Sequence, residues 1–280
     1  MTNYDKYIHS TGTHYISNSG SDENKAYHGG KAGDQSGHEW ELKPWYNRPW
    51  SVVLRYPDQA VALTIAKLSI DAALNDNIGY DQYQRDTYWQ ALQAANYDPS
   101  KITTPCEEDC TAGVSANVRA AGYLCGVKAL QTVPICSSRN MREQFAKAGF
   151  TILTASKYLT DSKYLLPGDI LLYENHHAAC NITCGAKVRD LWSPLSKPET
   201  AEESEEPYEA DAESMAPPYV LITAGSVNIR RTPGTELPSL GIARNGERLK
   251  YFGFRIDKWL LILWNGQTAW VSERYGKLVE

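Results

Sequence analysis

Between residues 193 and 218 the sequence stops offering anything a folded core could use. Eight acids (Glu199, Glu202, Glu203, Glu205, Glu206, Glu209, Asp211 and Glu213) face one cation, Lys197, among prolines and with almost no large aliphatic side chain. Such a segment cannot bury enough surface to fold, and its like charges keep it extended. The chain therefore divides into residues 1–192, an acidic Pro/Glu-rich linker at 193–218, and residues 219–280, and each flank must build a core of its own.

The net charge of −5 is distributed accordingly: −7 in the linker, +4 in residues 219–280 and −2 in residues 1–192. A dedicated nucleic-acid binder would show a strong basic face, and none is present, so no nucleic-acid partner is expected. No stretch approaches the roughly 18 apolar residues of a membrane span, which argues against membrane insertion. Met1–His9 lacks the apolar run of a signal peptide, so the chain is expected to be made in the cytoplasm, with its six cysteines reduced. Eighteen tyrosines and eight tryptophans against four phenylalanines suit surfaces that grip polar ligands. A monomer is expected.

The chemistry concentrates at Cys106-Glu107-Glu108-Asp109-Cys110-Thr111-Ala112-Gly113-Val114. Val114, Val118, Ala121 and Cys125 follow at spacings of four, three and four, the apolar stripe of a helix facing a core. Cys110 sits at the start of that helix, where free N–H groups and the helix dipole favour an anion, so its pKa is expected to be lowered. A thiolate is the nucleophile of acyl transfer. The competing reading is a small core residue, which free cysteines usually are.

Further on, Leu165-Leu166-Pro167-Gly168-Asp169-Ile170 through His176-His177-Ala178-Ala179-Cys180-Asn181 reads as a Pro-Gly turn, an apolar strand, a short polar connection and a strand opened by histidine. Residues 177, 179 and 181 share a face of that strand, so Asn181 is positioned to orient the His177 ring; Asp190 is the alternative. His176, on the other face, is the second choice of base. Helices are expected over Asp58–Asn75, Asp81–Ala95 and from Asn140, with a strand at Phe150–Thr154. Helices first and strands afterwards describe an α+β domain.

Asp109-Cys110-Thr111 before a helix, Leu-Pro-Gly-Asp-Ile before a strand and His177-Ala-Ala resemble the NlpC/P60 and CHAP cell-wall hydrolases, papain-like cysteine peptidases. The resemblance implies a papain-like catalytic domain in which Cys110 attacks an amide of peptidoglycan and His177 is its base, with no cofactor. It leaves open N-acetylmuramoyl-L-alanine amidase or endopeptidase activity on a stem or bridge peptide.

Residues 1–50 show little periodicity. The glycine-rich run His28–His38 has neither the Gly-Lys-Ser/Thr ending nor the preceding strand of a phosphate loop. With Trp40, Trp45, Tyr46 and Trp50 after it, this long segment is expected to line a cleft. Gln35 or a tyrosine would then hold an oxyanion, and Trp40 and Tyr46 would contact substrate; the alternative is that these aromatics only brace a loop. Two further alternatives stand. Cys106, Cys110, His176, His177, Cys180 and Cys184 hold enough soft ligands for zinc, although their spacings are looser than a zinc knuckle, and no metal is expected. Or the domain is a silent wall-binding scaffold.

Residues 219–280 switch to short strands, at Tyr219–Thr223, Val227–Arg230, Leu249–Phe254, Trp259–Trp264 and Thr268–Val271, with a hairpin signal at Asn265-Gly266. A small all-β barrel is expected. Ala224-Gly225-Ser226-Val227-Asn228-Ile229-Arg230, Pro233-Gly234-Thr235, Trp259 and Trp270-Val271-Ser272 resemble the bacterial SH3 (SH3b) domain. That resemblance implies binding to peptidoglycan, so the whole chain looks like an endolysin that acts on the wall after release from the cell.

Overall fold

A computed structural model describes residues 4–189, 218–230, 239–256, 258–264 and 267–279. The chain forms two compact units, Met1–Arg189 and Asp190–Glu280. Residues 193–217 of the linker expected at 193–218, the candidate Asp190 and the Pro233-Gly234-Thr235 and Asn265-Gly266 turns lie outside the described residues.

In chain order the first unit contains α1 (Asp5–Ile8), β1 (Tyr15–Ser19), β2 (Trp40–Pro44), β3 (Val52–Arg55), α2 (Gln59–Ala73), β4 (Ile78–Tyr80), α3 (Thr87–Ala94) and β5 (Cys106–Glu108). There follow α4 (Cys110–Leu124), α5 (Lys128–Gln131), α6 (Met141–Lys147), β6 (Thr151–Leu153), α7 (Ser156–Leu159), β7 (Ile170–Tyr173) and β8 (His177–Asn181). Six strands form an antiparallel sheet in the order β2-β1-β8-β7-β3-β6, while β4 and β5 pair in parallel. The α+β class is as expected from the sequence.

Local chemistry accounts for the two main helices. Asp58 caps α2 by accepting from the N–H groups of Ala60 and Val61, and Asp109 caps α4 by accepting from those of Thr111 and Ala112. Helix α4 is buried from Cys110 through Val118 and again from Ala120 to Gly122, so it is a central rod and not an amphipathic surface helix. Its small residues permit that: a Cβ on Gly122 would come within 2.6 Å of Leu130.

All of β8 is buried. Ala178 and Cys180 join the core shared with α2 and α4, whereas Ala179 packs with Ile16, Trp50, Val53 and Leu171 on the opposite face. The turn before β7 needs its glycine, because Gly168 adopts φ +83° and a Cβ there would run into the main chain of Ala62. Asp169 of the same motif forms a buried two-bond pair with Arg55, at 2.7 and 2.6 Å, and ties β7 to β3.

Two expectations change. Residues 1–50, read as a long loop, contribute β1 and β2, so two strands of the sheet come from that segment. The helix expected from Asp81 begins at Thr87, because Ile78–Tyr80 is drawn into the parallel ladder with Cys106–Glu108 and the Asp81 carboxylate holds a turn by accepting from Tyr83 N–H.

The second unit contains β9 (Tyr219–Ile222), β10 (Ser226–Arg230), β11 (Ser239–Arg244), β12 (Arg248–Ile256), β13 (Trp259–Trp264), β14 (Gln267–Ser272) and β15 (Gly276–Val279). They form one sheet in the order β11-β10-β14-β13-β12-β9-β15. Val220, Ile222, Ile229, Ala243, Leu260, Ile262, Ala269 and Val271 fill its core. Strands β11 and β15 had no counterpart in the sequence reading.

Candidate active site

The site forms where β1 and β8 part. Their ladder pairs Ile16 with Asn181 and Ser17 with Cys180 and goes no further. Along β8, Asn181 N–H bonds Asp169 O on the β7 side, while the next residue, Ile182, donates to Tyr15 O on the β1 side. Even-numbered amides therefore face β1. Past the end of the ladder, Ala178 lines one small cavity with Cys110, and its N–H favours the anionic form of that thiol. The first residue of α4 thus plugs the gap between the two strands.

Three supports hold Cys110 there. The Asp109 cap is itself gripped by Arg85, whose Nε lies 2.7 Å from Oδ2 and whose Nη2 also donates to Thr111 Oγ1 and Cys136 O. Glu108, fully buried, accepts from the Ser19 hydroxyl and from Gly113 N–H (3.0 Å), which joins β1 to the first turn of α4. Burial drives the Glu108 pKa well above the usual carboxylate range, while its bonds from Ser19 and Gly113 pull the other way.

His177 begins β8. Its Nε2 lies 2.9 Å from Asn18 Oδ1 across the gap, and the Tyr46 hydroxyl donates to the same oxygen at 3.1 Å. An amide oxygen only accepts, so Nε2 carries the hydrogen and Nδ1 keeps the lone pair of a base. Trp50 stacks on the imidazole with centroids 6.1 Å apart. Burial, reinforced by the charges of Arg48 and Lys43, pulls the His177 pKa down to about 3, and Asp109 partly opposes them.

Cys110 departs from expectation electrostatically. Burial pushes its thiol up to about 12, the Asp109 charge adds to this, and Ala178 N–H and Arg85 counteract only in part. The resting pair is a neutral thiol and a neutral imidazole, because loss of solvent outweighs the helix terminus. Tyr80, nearly buried, borders the same sulfur: its pKa is raised by burial first and by Cys110 next, and its oxygen accepts from Gln82 Nε2 at 3.0 Å.

The other residues singled out in the sequence fall elsewhere. Asn181 does not orient His177: its Oδ1 lies 2.6 Å from His14 Nε2 and its Nδ2 donates to Leu166 O and Thr183 O. It shares the strand face but sits past the end of the gap. Trp40 is a buried brace whose indole N–H donates to Ser17 Oγ, and Gln35 turns its amide onto Ala32 O and Gly33 O of its own exposed loop. Tyr46 reaches the site through Asn18. His176 is exposed and stacks on Tyr173. Among the described residues no three Cys, His, Asp or Glu side chains converge to hold a metal ion, so the zinc alternative has no geometric basis there.

Sequence reasoning missed Asn18 and Tyr80. Asn18 lies in Tyr-Ile-Ser-Asn-Ser, whose only aliphatic residue is Ile16, too faint an alternation to announce a strand. The glycine-rich loop has its own logic: carboxylates consume its amides, Asp34 taking the N–H groups of Ser36, Gly37, His38 and Glu39, and Glu107 taking that of Gly33.

An endolysin-like domain model matches residues 16–188, and a bacterial SH3 domain model matches residues 225–277. The two together define a cell-wall-binding protein that acts on peptidoglycan. The chain belongs to the endolysin-like domain family, whose match covers more than half of its length and includes Asn18, Tyr80, Cys110 and His177. No curated protein and no solved structure matches it.

Proposed function

We propose that the first unit is a papain-like cysteine hydrolase that cuts an amide or peptide bond of peptidoglycan, with Cys110 as nucleophile, His177 as base and Asn18 as the group that orients it. The observation that carries this reading is the gap itself: Cys110 lies against Ala178 of β8, and the residue before it presents an imidazole whose Nε2 is committed to Asn18.

In this mechanism the thiol proton passes to Nδ1 of His177 as sulfur attacks the carbonyl. The transfer creates a thiolate and an imidazolium, opposite charges whose attraction offsets the burial that keeps each neutral alone. Asn18 Oδ1 holds the Nε2–H of the imidazolium, and the Asp109 carboxylate favours its positive charge. The Tyr80 phenol is the candidate donor to the oxyanion. The imidazolium then protonates the leaving amine, and Nδ1 deprotonates the water that clears the thioester. The second unit binds the wall across the acidic tether and raises the local concentration of substrate, after the protein has left the cell.

Mass analysis of fragments released from purified peptidoglycan tests this reading and separates the activities: a free lactyl carboxylate marks an amidase, and a new peptide carboxylate with the lactyl amide intact marks an endopeptidase. Cys110→Ala is expected to release no fragments while binding the wall normally, and full lysis by that variant defeats the assignment. The burial of Cys110 favours a second reading, a silent wall-binding scaffold. Normal wall binding by the unaltered protein with no fragments released from any peptidoglycan would support it.

A further inference from the structure

Beside the imidazole lies an open groove of about 480 Å³ whose walls include Arg48, Trp50, Thr154, Ser156 and Leu159. Its Trp50 wall is the ring stacked on His177. Arg48 is half-buried there, and among the described residues no carboxylate pairs with it. It donates a 3.2 Å bond to the Tyr46 hydroxyl and lies 5.9 Å from the centre of the Tyr173 ring. Arg55, Arg85 and Arg142 each have a carboxylate partner, and nearby Lys43 is paired with Glu41 at 2.6 Å.

An unpaired guanidinium this close to His177 works against the imidazolium that the proposed reaction needs, since like charges repel. The conflict disappears if an anion enters the groove with the substrate. Building on the cysteine-hydrolase reading, we propose that this groove is an anionic-substrate subsite, in which Arg48 pairs with a free carboxylate of the wall peptide and seats the chain so that the bond to be cut faces Cys110. A planar guanidinium matches a carboxylate through two parallel bonds. Thr154 and Ser156 add hydroxyl-bearing side chains to the same lining. The substrate class is then a stem peptide with an unamidated acid next to the scissile bond, in preference to the uncharged glycan.

Two synthetic stem peptides that differ only in carboxylate versus carboxamide test this. The full-length protein is expected to favour the carboxylate form in kcat/KM by about tenfold or more. In Arg48→Gln that preference disappears, with the loss falling on KM; Arg48→Lys, which keeps the charge, retains part of it. Equal use of the two peptides by the unaltered protein, or an equal loss on both in Arg48→Gln, overturns the proposal. Calorimetric binding of both peptides to Cys110→Ala, with and without Arg48→Gln, decides the groove independently of turnover: tighter binding of the carboxylate form, lost with Arg48, supports it, and equal binding overturns it. Hydrolysis by Cys110→Ala would instead sink the nucleophile while leaving the binding result intact.

Discussion

The two units of this chain have opposite interiors. The core of the second is aliphatic, and among its described residues no charged group is buried. The first buries Ser17, Asn18, Ser69, Glu108, Asn117, His177 and Asn181 in or beside its apolar core. Those groups form connected chains: Tyr88 donates to Asn117 Oδ1 (2.6 Å), Asn117 to Ser69 Oγ, Ser17 to Ser69 O, and Trp40 to Ser17 Oγ. A buried polar group is tolerated when it is bonded and costs about 1–3 kcal/mol when it is not. A unit that only holds a surface needs none of this. Under the proposed mechanism the first unit has to keep a thiol, an imidazole and their supports dry and aligned, which such bonded networks do.

The contrast breaks most sharply at Cys110. Cys110→Ala should eliminate fragment release, a fall of at least about 10³-fold, with thermal stability close to that of the parent; retained activity would return the first unit to the status of a scaffold. The second unit breaks differently. Leu260→Ala, at a site 1% exposed, should cost about 2–5 kcal/mol, much of the stability of so small a core. Wall pull-down is expected to collapse and lysis to fall by about 10² or more through lost avidity, while cleavage of a soluble stem peptide stays near the parent rate.

Asn18 and Asn181 sharpen the picture inside one sheet. Asn18→Ala should lower kcat about tenfold or more, since His177 loses its orienting acceptor. Asn181→Ala should instead lower stability by about 1–3 kcal/mol, from the stranded carbonyls of Leu166 and Thr183, with kcat little changed. The reverse result would restore Asn181 as the partner of His177. Gly113→Ala tests how tightly α4 is seated: its Cβ would press on the Glu108 carboxyl and on the Trp40 ring, with an expected cost of about 1–3 kcal/mol by chemical denaturation.

The smallest effect concerns Glu107, whose carboxyl burial pushes up to about 8 from an ordinary 4.5, against the pull of Gly33 N–H. Between those pH values the unfolded chain holds fewer protons than the folded one, so this group's contribution to stability falls as pH rises through the window. Glu107→Gln should flatten the melting temperature across it, and an unaltered slope would assign the trend to other groups.

The legible parts of the site were those written in contiguous sequence. The spacing Val114, Val118, Ala121, Cys125 and an aspartate before a cysteine announce α4 and its cap, and Pro167-Gly168-Asp169 announces the turn before β7. The illegible parts depend on partners far along the chain. Strand β1 is a strand because β2 and β8 flank it, and its own residues carry little strand preference. The depressed Cys110 pKa inferred from the helix terminus failed because burial is a tertiary quantity.

The sequence by itself determined that there are two units, that a cysteine opens the third long helix and a histidine opens a late strand, because caps, turns and periodicity act over a few residues. Only the tertiary structure decided that the histidine's partner is Asn18 and that burial holds both Cys110 and His177 in their neutral forms. A side-chain contact between residues 159 positions apart and the removal of water from a gap in a sheet are properties of the assembled fold, and no local pattern encodes them.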